Sequence, residues 1–415
     1  MAEKLENSSA QLPVTLQTLP FDVKRLIARS VHAGPPSPQH YRYEERYKPG
    51  TRTDLLALSL SCRDWAEAAE PLLWERVEVV QSLPPQRLES LLREALPRRA
   101  HHVVSLKWEQ SALSDVELVL LFARVIPNLA RLRHVEASLQ EINIRATAGQ
   151  GPPHGDTSIQ AVLVAFVPLA LRLASLSLMV DVEEGSGFAA AVDVLEASTR
   201  LTYLDLNVSD DADPSHPLYR CLLSSLSRMT RLETLEVWCT LRDYLSEIPT
   251  PLPLRRLLLD SSGPRNPHIF LSFISRFSET LTTLELFNMP RREFFSNFTL
   301  LPTGTAPFFL PLPHLRTLVY GETHDRTILP YLSSSPLRFL TIEWIAMGAM
   351  GEVETFVKEH RGTLKAVKAS LPRIGAVDEL SGALESQAEL ASCCRERGIE
   401  YEEFKDDFFE EEDEV

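Results

Sequence analysis

The stretch Leu201-Thr-Tyr-Leu204-Asp-Leu206-Asn-Val carries apolar residues at its first, fourth and sixth places and polar residues in most gaps. Its Leu204-Asp-Leu206 portion alternates, as a strand with one buried face must. The form returns at Leu173-Ala-Ser-Leu-Ser-Leu, Leu232-Glu-Thr-Leu-Glu-Val, Leu254-Arg-Arg-Leu-Leu-Leu, Leu281-Thr-Thr-Leu-Glu-Leu, Leu315-Arg-Thr-Leu-Val-Tyr and Leu337-Arg-Phe-Leu-Thr-Ile. Weaker copies begin at Val103, Leu129 and Leu364. The strong copies start at 173, 201, 232, 254, 281, 315 and 337, so the steps are 28, 31, 22, 27, 34 and 22 residues. Helical patterning fills the gaps, at Asp115–Ile126, Ile159–Leu171, Phe188–Ala197, Leu218–Met229, Ile269–Phe277, Arg326–Leu332 and Glu352–His360. Val377–Arg397 is also helical, and Gly398-Ile-Glu-Tyr-Glu-Glu-Phe404 predicts a last strand.

Ordinary buried strands do not repeat one pattern this often. The repeat resembles the leucine-rich repeat, whose period is about 20–29 residues, and it covers most of the chain after residue 100. The resemblance implies a curved solenoid over 101–404, with a parallel sheet on the concave side and helices outside. One feature of that family is missing. The places three after the last leucine are Asp181, Ser209, Thr240, Ser262, Met289, Thr323 and Ile345, so no asparagine ladder forms. Irregular turns and uneven curvature are expected. The longest breaks, Ile144–Thr157 and Met289–Pro311, read as surface loops.

With the first, fourth and sixth places buried, the third, fifth and seventh point away from the core. Those places hold Tyr203, Asp205, Glu236, Trp238, Asp260, Glu285, Phe287, Phe339 and Glu343, with Arg256 the one cation among the strong copies. Aromatic residues are common in binding hot spots, and an acidic face draws basic partners. This face is therefore the candidate target site, and a basic target is expected.

The N-terminal part is patterned differently. Residues 1–11 are polar and read as disordered. Leu19, Val23, Leu26 and Ile27 then share one helical face, with Thr18 able to cap and Pro20 suited to the first turn. Residues 32–53 interrupt with Gly34-Pro-Pro-Ser-Pro38 and a Tyr/Arg/Glu run. Helical patterning resumes after Asp54, a candidate N-cap, and passes through Ser61-Cys62-Arg63-Asp64-Trp65 to Pro71-Leu72-Leu73-Trp74. An alternating strand, Val77-Glu-Val79-Val80, follows. The Leu19-Pro20 start, the Cys62-Arg63-Asp-Trp65 centre and the Leu73-Trp74 end resemble the F-box over residues 12–80. The insertion at 32–53 is longer than the family's usual turn. Fungal F-box proteins with irregular leucine-rich repeats share this plan.

The resemblance implies a three-helix module that docks on the Skp-type adaptor of a cullin ubiquitin ligase. It places docking on Leu19, Pro20, Val23, Ile27, Leu55, Leu58, Cys62, Trp65, Leu73 and Trp74, and Leu55 is expected to be exposed with Leu19, Pro20 and Val23. A helix over 82–100, ending before Pro97, would join the F-box to the repeats. The chain is then expected to be a substrate-recognition subunit of an SCF-type ligase. The other reading is a scaffold whose F-box-like helices recruit no ligase.

Charge and chemistry narrow the picture. The net charge is −15, of which the nine acids and one lysine from Glu402 to Val415 supply −8. The segment 405–415 reads as a disordered acidic tail. No basic stripe is visible along the sequence, so nucleic acid is not expected as a partner. No apolar run reaches the length of a membrane span, and no signal-peptide core begins the chain. The five cysteines lack framework spacing and read as reduced thiols, which fits a cytoplasmic or nuclear protein. Gly149-Gln-Gly151-Pro-Pro-His-Gly155 has the wrong spacing for a phosphate loop, and Gly185-Ser186-Gly187 for a nucleophile elbow. No Cys/His spacing suits zinc. Neither an enzyme, nor a cofactor, nor a metal is expected.

Overall fold

The computed structural model describes residues 19–33, 50–80, 82–109, 112, 116–139, 155–180, 187–208, 224–238, 252–260, 272–287, 310–322, 328–332, 334–344, 350–360, 362–369 and 377–403. The expected disordered ends, the loop 34–49 and the long breaks around 144–154 and 289–309 fall outside this set.

Twelve parallel strands form one open sheet in strict chain order. They are β1 Arg76–Val79, β2 Ser105–Glu109, β3 His134–Leu139, β4 Ser175–Val180, β5 Tyr203–Val208 and β6 Thr234–Trp238. They continue as β7 Arg256–Asp260, β8 Thr283–Phe287, β9 Thr317–Glu322, β10 Phe339–Trp344, β11 Ala366–Ala369 and β12 Glu400–Glu403. Parallel neighbours cannot be joined by a hairpin, so each step needs a crossover. Helices supply several of these, at Val116–Val125, Gly155–Ala170, Gly187–Ala197, Met350–Glu359 and Val377–Glu396. Strand and connection, repeated without reordering, is the arrangement the leucine spacing predicts.

The inward places hold the sheet to the helices. Leu176 and Leu178, Leu204 and Leu206, Leu284 and Leu286, and Leu340 and Ile342 are all buried. They join one continuous core with Phe122, Phe166 and Phe356 from the crossover helices. Near the N-terminal end, the Trp108 ring lies 5.6 Å from Phe122 and 6.3 Å from Phe166. Each buried aliphatic side chain stabilises the fold by about 1.5–3 kcal/mol, so the repeated leucines fix the register of every strand.

A second ladder runs one residue ahead of the strands. The Arg133 amide bonds the Val104 carbonyl, Arg255 bonds Glu233, Arg316 bonds Thr282, Arg338 bonds Arg316 and Lys365 bonds Arg338, each at 2.8 Å. The N-terminal edge of the sheet is therefore as regular as its middle.

Four sequence expectations change. The repeat in β3 starts at Leu132 rather than Leu129, because His134 pairs with Ser175 and Val135 with Leu176. Leu129 is buried but sits in the turn before the strand. The sheet begins at β1, so the helical run from Pro85 is the crossover between β1 and β2 and not a linker. That run passes Pro97 to Arg99, with a wider π turn at Leu91–Ala95. Proline lacks an N–H and crowds the carbonyl four residues back, and the wide turn relieves both effects. Asp54 lies inside a helix that starts at Gly50 and does not cap it.

Among the described residues three helices precede the sheet: α1 Phe21–Ala33, α2 Gly50–Ser61 and α3 Arg63–Leu73. Their small core is Ala28, Leu55 and Ala69, backed by Val31, Leu72 and Leu73. Lys24 is almost fully buried, and its ammonium donates to the Asp64 carboxylate at 2.8 Å. It also lies 6.0 Å from the centre of the Trp65 ring. That hydrogen bond, with the Lys24 charge, holds the Asp64 carboxyl below its ordinary pKa. The pair ties α1 to α3. Trp74 packs on the main core, and Arg99 pairs with Glu70, so the helical unit is joined directly to the sheet.

Candidate binding face

The strand register sets the third, fifth and seventh places in three rows across the sheet, on the side away from the core. The third-place row runs Ser175, Tyr203, Thr234, Arg256, Thr283 and Thr317. The fifth-place row runs Ser177, Asp205, Glu236, Leu258, Glu285 and Val319 over the same strands. Sequence reasoning placed the acids of this row in solvent. The structure buries them: Asp205 is 6% exposed, Glu236 1% and Glu285 2%.

The geometry of β6, β7 and β8 explains how charges survive there. Leu258 stands between Glu236 and Glu285 and offers no polar group. Arg256, two residues earlier on β7, bridges both carboxylates. Its Nε donates to Glu285 at 2.6 Å, and its Nη1 lies 3.4 Å from Glu236. Burial alone would make the guanidinium easier to deprotonate. The hydrogen bond and charge of Glu285, with the charge of Glu236, outweigh it and hold Arg256 above its ordinary value. On β4 and β5, the Ser177 hydroxyl donates to Asp205 at 2.7 Å. Paired and hydrogen-bonded charges of this kind set local geometry more than they add stability.

The seventh-place row carries two of the aromatics, Trp238 and Phe287. The Trp238 and Phe287 rings lie 6.2 Å apart and nearly parallel, at 13°. The register sets Asp260 beside Phe287 on the strand between them. The side chains of Asp260 and Glu343 lie outside the described set. Phe287 packs tightly on β9, where a Cβ at Gly321 would stand 2.6 Å from the Phe287 ring. Gly321 is thus required for the ring's position, and no sequence signal marked it. Phe339 on β10 is exposed, and Tyr203 and Trp238 are partly exposed. The structure thus brings together Tyr203, Asp205, Glu236, Trp238, Glu285 and Phe287, while Phe339 stands further along the sheet.

The ends of the same face differ. Lys107 pairs with Glu136 at 2.7 Å and Lys368 with Glu402 at 3.0 Å, both accessible to water. Exposed pairs of this type contribute about 0–1 kcal/mol.

The residues proposed for adaptor docking divide as well. Leu55 and Trp65 are each 1% exposed and build the inside of the helical unit, so neither presents a surface. Burying a leucine and a tryptophan is what lets three short helices hold together. Leu73 and Trp74 are half-buried against the two cores. Leu19, Ile27, Leu58 and Cys62 are partly exposed, and Pro20 and Val23 are exposed. The expected docking set leaves out the most accessible apolar groups of the helical unit, Phe21, Leu26, Leu56 and Leu60.

Among the described residues no group of His, Cys, Asp or Glu converges as a metal site, and no helix is long and apolar enough to cross a membrane. The chain matches no protein-family model and no curated protein.

Proposed function

We propose that the chain is the substrate-recognition subunit of an SCF-type ubiquitin ligase, with α1–α3 docking on a Skp-type adaptor and the sheet face holding the target. One observation carries this reading. Phe21, Val23 and Leu26 on α1 and Leu56 and Leu60 on α2 are exposed, with Leu60 79% and Leu26 61% accessible. The unit has a core of its own and is fastened to the sheet at β1, so these side chains are not needed to close the fold. Apolar groups gathered on a small helical unit mark an interface. The Leu19-Pro20, Cys62-Arg63-Asp-Trp65 and Leu73-Trp74 resemblance supports the adaptor as its occupant. Catalysis would then be by proximity, with other subunits performing the chemistry. The sheet face would offer Tyr203, Trp238 and Phe287 as contact points for the target.

The test is co-purification of the full chain with a Skp-type adaptor, for wild type and for the Leu26→Glu/Leu60→Glu double variant. Wild type should retain the adaptor and the variant should lose it, with unchanged circular dichroism. Equal recovery with both would rule out this docking surface, and no recovery with either would favour a scaffold without ligase function.

A further inference from the structure

The N-terminal edge of the sheet carries a cationic ridge that the linear sequence conceals. Two positions flank the first leucine of each repeat, one before it and one after. In β3 to β6 the position before it is Arg131, Arg172, Arg200 and Arg231. From β7 onward the position after it takes over, with Arg255, Arg316, Arg338 and Lys365 on β7, β9, β10 and β11. Arg133 adds a further charge on β3, and Glu233 is the one acid at these two positions between β3 and β11. The backbone ladder ahead of the strands sets Arg133, Arg255, Arg316, Arg338 and Lys365 on one edge, with Ala174, Thr202 and Glu233 between Arg133 and Arg255 and Thr282 between Arg255 and Arg316. Adjacent strands stand about 4.8 Å apart, so residues 22–41 apart in the chain become near neighbours. The expectation of no basic stripe is thereby overturned.

Some of these cations have a structural task. Arg133 donates to the Arg172 carbonyl at 3.1 Å, Arg172 to Ala130 at 3.4 Å and Arg316 to Pro336 at 3.3 Å. Cations near helix and turn ends satisfy carbonyls in this way. That task does not extend to Arg131, Arg200, Arg231, Arg255, Arg338 and Lys365. All six are exposed, and among the described residues none makes a side-chain hydrogen bond or ion pair. On the outward face, by contrast, Arg76, Lys107, Arg256 and Lys368 are each paired with a carboxylate.

We propose that this edge is a second interaction surface, separate from the outward face, and that it takes an acidic polypeptide segment laid across the strands. Charge complementarity selects an anion. The ridge positions hold no Phe, Tyr or Trp on which bases could stack, as single-stranded nucleic acid requires.

The probe is a fluorescein-labelled, end-blocked peptide of ten glutamates, followed by anisotropy with the full chain at low and high salt. The Arg255→Gln/Arg338→Gln/Lys365→Gln variant removes three unpaired charges from the ridge. The Arg25→Gln/Arg29→Gln/Arg63→Gln variant removes three from the helical unit and serves as the control. The ridge variant should bind at least tenfold more weakly at low salt, the control within twofold of wild type, and high salt should erase the difference. Equal loss in both variants, or none in either, would overturn the proposal. Tighter binding of a ten-nucleotide thymidine strand than of the peptide would overturn the peptide assignment in favour of nucleic acid.

Discussion

Arg255 and Arg256 are neighbours in the chain and opposites in the fold. Arg256 lies on the outward face, largely buried between Glu236 and Glu285. Arg255 stands on the N-terminal edge, exposed, with no side-chain partner among the described residues. The same contrast holds for the regions they occupy. At the centre of the face, Asp205, Glu236 and Glu285 are buried, the two glutamates tied to Arg256 and Asp205 to the Ser177 hydroxyl. The edge is rich in cations that reach water. A charge that is already committed to a neighbour shapes the surface, and one that is free can meet a partner. The face therefore offers its aromatic side chains as contacts, and the edge offers charge.

Substitutions sharpen that contrast, beginning with the part both regions share. Leu204→Ala removes a fully buried side chain from β5 and should cost about 2–5 kcal/mol through the cavity it leaves. Urea melts would measure this, and both regions should loosen together. Asp205→Ala deletes the acceptor of the Ser177 hydroxyl on the buried face. It should cost about 1–3 kcal/mol, whereas a solvated acid there would be nearly neutral. Gly321→Ala drives a Cβ to 2.6 Å from the Phe287 ring. It should cost about 1–3 kcal/mol and alter the near-ultraviolet signal of the Trp238–Phe287 pair.

The smallest effect is electrostatic. His102 and His134, beside the edge, are both held below the ordinary histidine pKa, first by burial. His101, and after it Arg131 and Arg99, add to this at His102, and Arg133 at His134. The unfolded chain therefore takes up protons that the folded chain refuses. Stability should fall as pH drops below about 6.5. The His102→Asn/His134→Gln variant should lose less stability between pH 7.5 and 5.5, by under about 1 kcal/mol. An identical pH dependence in wild type and variant would show that the fold does not lower these two pKa values.

The leucines made the sheet legible. Seven strong copies named seven of the strands, and their spacing gave the parallel order without a structure. The weaker copies were harder because turn leucines resemble strand leucines, as Leu129 and Leu132 show. Alternation told which side of each strand faces the core. It could not tell whether the other side meets water, because that depends on neighbours across the sheet. Arg256 reaches two strands at once, and Leu258 makes room for it. Gly321 is significant only because Phe287 stands beside it. The ridge was hidden for the same reason, since its members share one edge of the sheet and are scattered in the chain. In the helical unit, a three-residue core requires Leu55 inside, and that leaves Phe21, Leu26, Leu56 and Leu60 at the surface.

The contrast is tested most directly by comparing Arg255→Gln and Arg256→Gln in equilibrium urea unfolding at low and high salt. Arg256→Gln leaves Glu236 and Glu285 buried without their shared cation and should lose about 3–5 kcal/mol. Salt should recover little of that loss, because buried charges are weakly screened. Arg255→Gln, one residue earlier on the exposed edge, should stay within about 0.5 kcal/mol of wild type. Equal stability of the two variants, or a larger loss from Arg255→Gln, would contradict the division between a self-paired face and a free cationic edge.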